Sequence, residues 1–223
     1  MTLTIHTDII QRSDEWYELR RGLITASAVG MLITPKTLKP ASNQDSRGLA
    51  SMLAAERIAG WSDIGFVNDD MMRGIESEPI VRAKYVQHYA PVAEVAFMTE
   101  DRFGFKLGLS PDGLVGEDGL IEIKCPRAKG HIATIIAGHP PIEYMAQLQT
   151  ALLVSGRAWI DYVSYCAGLP LYVKRVFPQG KWFDAITAAA SSCEEGIREI
   201  MRLYDEHSHG LIPTERNETE ILI

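Results

Sequence analysis

The residues of this chain best suited to chemistry lie in one short stretch. Residues 109–126 read Leu-Ser-Pro-Asp-Gly-Leu-Val-Gly-Glu-Asp-Gly-Leu-Ile-Glu-Ile-Lys-Cys-Pro. Two carboxylates, Asp112 and Glu122, and one amine, Lys124, fall in the pattern Pro-Asp-x9-Glu-x-Lys. Carboxylate oxygens are the ligands that Mg²⁺ takes. A lysine beside such an ion can hold a water and help to deprotonate it. The pattern reads as a site for metal-assisted hydrolysis. A bare Glu-x-Lys on a strand is ordinarily a solvated pair. Here Leu120, Ile121 and Ile123 surround it, and burying unpaired charge is costly.

Such a site needs a hairpin to hold it. Gly116–Gly119 is a turn sequence, and the β-branched run after it reads as the returning strand. Side chains alternate along a strand, so Glu122 and Lys124 share a face, and the turn folds Asp112 back beside them. Upstream, Ser13 can cap a helix with Asp14 and Glu15 in its first turn, Trp16, Leu19 and Leu23 on its apolar side, Arg20 and Arg21 at its end, and Gly22 stopping it. Ile24–Ser27 then leads into an expected second helix reaching about Ile33, capped by Thr25 or Ser27. A helix N-terminus with a hydroxyl suits an oxyanion, and a nearby arginine adds a bidentate clamp.

Residues 34–46, with Pro35, Pro40, Lys36 and Lys39, read as a mobile polar loop. A helix over about 47–59, a loop over 60–69 and a helix from about Asp70 to Tyr89 follow. Pro79 is expected to break or kink the last, with Glu76 and Glu78 beside it. Residues 92–99 and 103–109 read as strands of the hairpin's sheet. Arg127, Lys129 and His131 form a basic cluster, read equally as phosphate contacts or as a solvated face. Pro140-Pro141 precedes a helix over about 142–154 carrying Gln147. Strands over 158–166 and 170–177 and a long helix over about 181–207, packed on the sheet or on a neighbouring subunit, complete the chain before a tail ending Ile221-Leu222-Ile223. The order of elements implies one domain, residues 1–223, with a mixed sheet covered by helices.

Composition narrows the class. A chain of 223 residues suits one packed domain. No run of about 18 apolar residues suggests a membrane span, and no signal peptide is apparent at the N-terminus. Three scattered cysteines, Cys125, Cys166 and Cys193, suggest reduced thiols in a cytosol. The net charge of −7 argues against a generic nucleic-acid binder. It allows a nuclease with an acidic exterior and a basic channel.

Ser110–Leu114 followed by Glu122–Pro126 resembles the PD-(D/E)xK nuclease signature, and more closely the phage lambda exonuclease and YqaJ-type viral recombinase family. Three further blocks agree in order and spacing: Trp16–Ser27, Gly74–Arg82 and Tyr144–Gln149. The resemblance covers about residues 10–175. It implies a restriction-endonuclease-like α/β (α+β) core, a central mixed sheet flanked by helices, and a 5′→3′ double-strand-dependent exonuclease that releases mononucleotides and leaves 3′ overhangs. It implies two Mg²⁺ ions per active site, with Mn²⁺ an alternative, held by Asp112, Glu122, Glu78 and the Ile123 backbone carbonyl, and with Lys124 and Gln147 completing the catalytic set.

The resemblance further carries the terminal 5′-phosphate pocket onto Arg20, Ser27 and Ser110, and an end-separating apolar residue onto Met71. Thr25, Arg127 and Lys129 become candidate DNA contacts. The relatives' arginine one position beyond Lys129 is Gly130 here. The resemblance also implies a homotrimeric ring around DNA ends, a single-strand annealing partner protein, and a phage or prophage origin with a cytoplasmic location in a bacterial host. Two rivals stand beside it: an endonuclease of restriction or repair type, which the motif core alone does not exclude, and a non-catalytic DNA-binding domain, which predicts a defective triad where this one is complete.

Overall fold

The computed structural model of the protein describes residues 3–62 and 68–216. Among these, the strands are β1 (Thr4–His6), β2 (Ile24–Thr25), β3 (Ile33–Thr34), β4 (Lys39–Pro40), β5 (Phe97–Glu100), β6 (Leu107–Leu109), β7 (Gly113–Val115), β8 (Gly119–Lys124), β9 (Trp159–Ser164) and β10 (Tyr172–Val176), with β-branched residues concentrated in β1, β2, β3, β8, β9 and β10. The amphipathic segments form α1 (Asp14–Arg20), α2 (Gln44–Ala59), α3 (Asp69–His88), α4 (Ala128–Ala137), α5 (Ile142–Ser155) and α6 (Gly180–Ser208). The class is mixed α+β, as expected, with no described helix long and apolar enough to cross a membrane.

The hairpin has the expected form. β7 and β8 are antiparallel, with Gly113 opposite Ile121 and Val115 opposite Gly119. The sheet, however, divides into two mixed four-stranded ladders, β1-β5-β6-β2 and β10-β9-β8-β7. β2 runs parallel to β6, and β8 parallel to β9. The strands expected over 92–99 and 103–109 are the shorter β5 and β6, and they belong to the other ladder. The chain crosses between ladders at Ser110-Pro111-Asp112, where a proline cannot donate to a ladder.

β8 is covered on both faces. Leu120 joins the main core with Leu148, Leu152 and Ile160. Ile121 and Ile123 pack with Val81 and Tyr85 of α3. This explains the nearly unbroken apolar run around Glu122 and Lys124.

Several local expectations fail for physical reasons. The helix expected from Thr25 or Ser27 to Ile33 is absent: Ile24–Thr25 pair with Leu107–Gly108 as a strand, and only a 3-10 turn, Val29–Leu32, follows, without a side-chain cap. Residues 34–46 are not a plain loop but contain the β3–β4 ladder, turned by Leu38 at φ 54°. Of the break or kink expected at Pro79, the break is absent, since α3 runs on through it; Asn68 caps the start of the helix and buried Val81 and Tyr85 anchor its far half.

The segment after Lys124 becomes α4, within which His131 is fully buried and bonded to Ser164 Oγ at 2.7 Å and the Pro170 carbonyl at 2.9 Å. It is no part of an exposed basic cluster. α6 packs within its own chain, on α2 and α5. The apolar end Ile221–Ile223 and residues 63–67 of the loop expected over 60–69 lie outside the described residues.

Candidate active site

A cleft of ≈ 850 Å³ opens over the Ser110–Asp112 crossing. It is lined by residues from α1, α3, β8 and α5, among them Arg20, Ser27, Glu78, Ser110, Asp112, Glu122, Lys124 and Gln147. β8 supplies Glu122 and Lys124 on one face, and the Lys124 ammonium donates to Glu122 Oε1 at 2.6 Å. Gln147, on α5 above that face, donates Nε2 to the same oxygen at 2.6 Å. Glu122 is 3% exposed, so these donors answer a charge that would otherwise be strongly destabilising.

Asp112 caps the open end of the hairpin. Its Oδ2 accepts from the Ile123 N–H at 2.6 Å. The Lys124 carbonyl accepts from Tyr165, which turns the Lys124 peptide toward β9. By strand alternation the Ile123 backbone groups face the other way, toward Asp112 and the cleft.

The charges in this corner do not balance. Burial first, then the nearby Glu122 and Glu78 carboxylates, hold the Asp112 carboxyl well above its ordinary range, against the pull of Lys124 and the Ile123 N–H. Burial pulls the Lys124 pKa down, but Glu122 and Asp112 outweigh it and the net shift is upward. Lys124 is therefore a firm ammonium here.

Glu78 on α3 is held by two guanidinia. Arg82 Nη2 lies 2.5 Å from Oε1 and Arg12 Nη2 lies 2.6 Å from Oε2. Arg82 also donates to the Asp112 carbonyl at 2.9 Å, tying α3 to the crossing. Among the described residues, no three His, Cys, Asp or Glu groups stand ready-made to hold a metal ion. Asp112 and Glu122 remain a carboxylate pair with a backbone carbonyl beside them.

Two residues along the chain, the character of the cleft changes. Ser110 Oγ accepts from Arg20 Nη1 at 2.9 Å and from Trp16 Nε1 at 3.0 Å. The Arg20 guanidinium lies 4.1 Å from the Trp16 ring centroid, a favourable cation–π distance. Among the described residues Arg20 makes no ion pair. Burial pulls its pKa down to about 10 despite Tyr17 and Glu56, so its charge is poorly compensated yet still present at neutral pH. Ser27 is exposed on the same cleft.

Thr25 is buried in β2, bonds Ser27 Oγ at 3.2 Å and is not among the residues lining the cleft. Met71, 51% exposed, is on the cleft wall. Arg127 is there too, paired with Asp70 at 2.9 Å. Lys129 is exposed on α4 but outside the cleft lining. The sequence reading missed Arg12, which lies in no motif, and gave no role to Arg82, the last residue of the Gly74–Arg82 block. It also missed Gln11, whose side chain bonds the Val95 and Pro111 carbonyls at 3.1 and 2.9 Å. A glutamine and an arginine directly before a helix cap were the available signal.

Comparison with known proteins bears on the family and the fold. The YqaJ-like viral recombinase domain matches residues 15–158. An alkaline exonuclease, LHK-Exo from Laribacter hongkongensis, superposes with TM-score 0.79 at 32% identity over 90% of this chain and 100% of its own. The same values hold for that exonuclease in complex with dAMP. A phage related exonuclease from Haemophilus somnus 129PT shares the fold at TM-score 0.61 and 12% identity, over 81% of this chain and 96% of that one. No curated protein matches. With well over half of its length matched by the domain and a solved relative aligned over nearly all of it, the chain belongs to the YqaJ-like viral recombinase family, on a PD-(D/E)xK nuclease core.

Proposed function

We propose that the chain, as one domain over residues 1–223, is a metal-dependent 5′→3′ exonuclease of double-stranded DNA ends. It degrades the 5′-phosphorylated strand to mononucleotides and leaves 3′ overhangs for phage-type single-strand annealing recombination. The observation that carries this reading is the placement of a carboxylate pair, Glu122 buried and Asp112 half-buried, and a poorly compensated arginine in one cleft, joined by Ser110-Pro111-Asp112. An alkaline exonuclease at 32% identity, also described in complex with the mononucleotide dAMP, supports it.

The donor set fits a hard divalent cation. Asp112 carries more negative surroundings than the chain's own cations offset, and Mg²⁺ is commonly held by one or two carboxylates together with substrate phosphates rather than by a full protein cage. Asp112, Glu122 and the Ile123 carbonyl would hold one ion, and Asp112 with Glu78 a second. When bound, Mg²⁺ or Mn²⁺ supplies Lewis-acid stabilisation of the phosphate and a more acidic water.

The chain's own groups do the positioning. Gln147 and Lys124 fix the Glu122 carboxylate from one side. Lys124, held as an ammonium, orients the water that attacks phosphorus and stabilises the charge growing on the phosphate oxygens. The water oxygen bonds phosphorus and gives up a proton, the bond to the 3′-oxygen breaks, and in net that proton passes to the 3′-oxygen. Arg20, Ser110 and Ser27 grip the terminal 5′-phosphate. Each cut creates a new 5′-phosphate, which the same pocket can hold, so polarity follows from where the pocket stands. Met71 meets the duplex end, and Arg127 and Lys129 serve the backbone more peripherally. A homotrimeric ring, a single-strand annealing partner, and a phage or prophage origin in a bacterial cytoplasm complete the proposal.

End-labelled linear duplex, carrying either 5′-phosphate or 5′-hydroxyl, tests it directly. The expected result is Mg²⁺-dependent release of 5′-mononucleotides, faster from phosphorylated ends, with closed circular plasmid left intact. Cutting of the closed circle would favour an endonuclease. Binding without Mg²⁺-dependent loss of substrate would favour a non-catalytic domain.

A further inference from the structure

Glu78 has two counter-ions that differ in kind. Arg82 is built in: beyond Glu78 it bonds the Asp112 carbonyl at 2.9 Å and pairs with Glu94 at 2.9 Å. Among the described residues Arg12 pairs with Glu78 and with no other carboxylate. Its side chain is 41% exposed, and it stands between the main cleft and a second cavity of ≈ 380 Å³ that Glu78 and Asp112 also line.

The backbone imposes this position. Gln11 is fastened by its side chain to the Val95 and Pro111 carbonyls, and Ser13 caps α1. Arg12 spans these two anchors at φ 71°, a left-handed conformation that favours glycine. Side-chain-bearing residues held in such conformations cluster at ligand clamps and switches, where the surroundings over-determine them. A simple strut would need neither the strained backbone nor the solvent access.

We propose that Arg12 has two positions: without a divalent cation it neutralises Glu78, and when Glu78 turns to a cation Arg12 is released to bind a phosphodiester of the DNA strand in the cleft. The inference rests on the nuclease reading above. A cation arriving at Glu78 takes over its charge and repels the guanidinium. The nearest anion then on offer is the polynucleotide backbone that shares the cleft, and guanidinia bind phosphate bidentately. The exchange links cation binding to DNA grip through one side chain.

Two variants test this by binding alone. Arg12→Gly removes the guanidinium and suits the backbone conformation, so folding is preserved; Arg12→Lys keeps the charge. Calorimetric titration of DNA-free protein with Mg²⁺ should show Arg12→Gly binding about threefold to tenfold more tightly than wild type. Binding of a short 5′-phosphorylated duplex in Ca²⁺, followed by fluorescence anisotropy over a salt series, should show the slope of log affinity against log salt reduced by about 0.9, one phosphate contact, with Arg12→Lys close to wild type. Weaker or unchanged Mg²⁺ binding in Arg12→Gly would make Arg12 a strut for Glu78 and overturn the proposal, as would an unchanged salt slope. Wild-type protein that binds no Mg²⁺ in the same titration would overturn instead the metal reading beneath it.

Discussion

The two stations of the cleft are built on opposite principles, although only Pro111 separates Ser110 from Asp112. At Asp112 the acids are crowded with partners from the chain itself: Lys124 and Gln147 on Glu122, Arg12 and Arg82 on Glu78, the Ile123 N–H on Asp112. Negative charge is nevertheless in surplus, since burial, Glu122 and Glu78 hold the Asp112 carboxyl above its ordinary range. At Ser110 the imbalance is reversed. A largely buried guanidinium, Arg20, meets a hydroxyl and an indole face but no carboxylate in ion-pair range among the described residues. One station lacks a cation and the other lacks an anion, which is what a metal-dependent enzyme acting on a phosphorylated end needs.

The largest effect expected tests the acid station. Asp112→Asn should lower exonuclease activity by about 10³-fold, a loss of several kcal/mol of transition-state stabilisation. The same change should stabilise the metal-free fold, raising Tm by about 2–4 °C for each kcal/mol gained. The sign follows from linkage. An aspartate unfolds with a pKa of about 3.9, and here the folded value is raised. The folded state therefore holds that proton more tightly, and its contribution is lost as pH rises through the folded pKa. The advantage of Asp112→Asn in Tm should widen with rising pH over that window, and Mg²⁺ should raise the Tm of the wild type but not of the variant. Equal pH profiles for the two proteins would break the picture of surplus negative charge.

A smaller effect separates the stations. Arg20→Ala should reduce the preference for 5′-phosphorylated over 5′-hydroxyl ends by about tenfold to a hundredfold, the range for a hydrogen-bonded charge pair. Digestion of hydroxyl ends should hold near the wild-type rate. An equal fall on both substrates would show that Arg20 supports the whole site rather than one end of the ligand.

The acid station was the more legible of the two in the sequence, because it is local. Asp112, the turn and β8 are contiguous, and period-two alternation alone places Glu122 and Lys124 together. The arginine station draws on distant pairings. Ile24–Thr25 read as the entry to a helix because a two-residue strand has no periodicity, and its partner, Leu107–Gly108, lies some 80 residues away. Losing that helix removes the expected helix-terminal anion site, leaving Arg20, Ser27 and Ser110 to side-chain chemistry. α4 was hidden by Gly130 and by β-branched Ile132, Thr134, Ile135 and Ile136, which favour strand over helix. Its His131 reads in sequence as part of a basic cluster, either contacting phosphates or solvated, whereas Ser164 and Pro170 enclose it. Arg12 belongs to no motif, and Arg82 closes the Gly74–Arg82 block without a role of its own in the sequence; only the fold brings both to Glu78.

The least effect expected concerns how Arg20 is held. The turn after α1 is fixed on both sides of Gly22: its N–H donates to Glu56 Oε2 at 2.6 Å and its carbonyl accepts from Arg57 Nε at 2.8 Å. Arg57 is itself paired with buried Glu194 at 2.6 Å, so α2 and α6 together anchor the residue two places after Arg20. Gly22 adopts φ +67°, and a Cβ there would lie 2.6 Å from Arg57 Cγ. Gly22→Ala must therefore strain the turn and push Arg57 off the Gly22 carbonyl. The expected cost is about 1–2 kcal/mol, visible in denaturant unfolding. With Arg20 less firmly placed, discrimination between phosphate and hydroxyl ends should weaken by only about twofold to threefold. Mg²⁺ affinity should be unaltered, since Asp112, Glu122 and Glu78 are bonded by Ile123, Lys124, Gln147, Arg12 and Arg82, none of which belongs to this turn. A variant that lost Mg²⁺ binding along with phosphate preference would mean that the two stations are one mechanical unit.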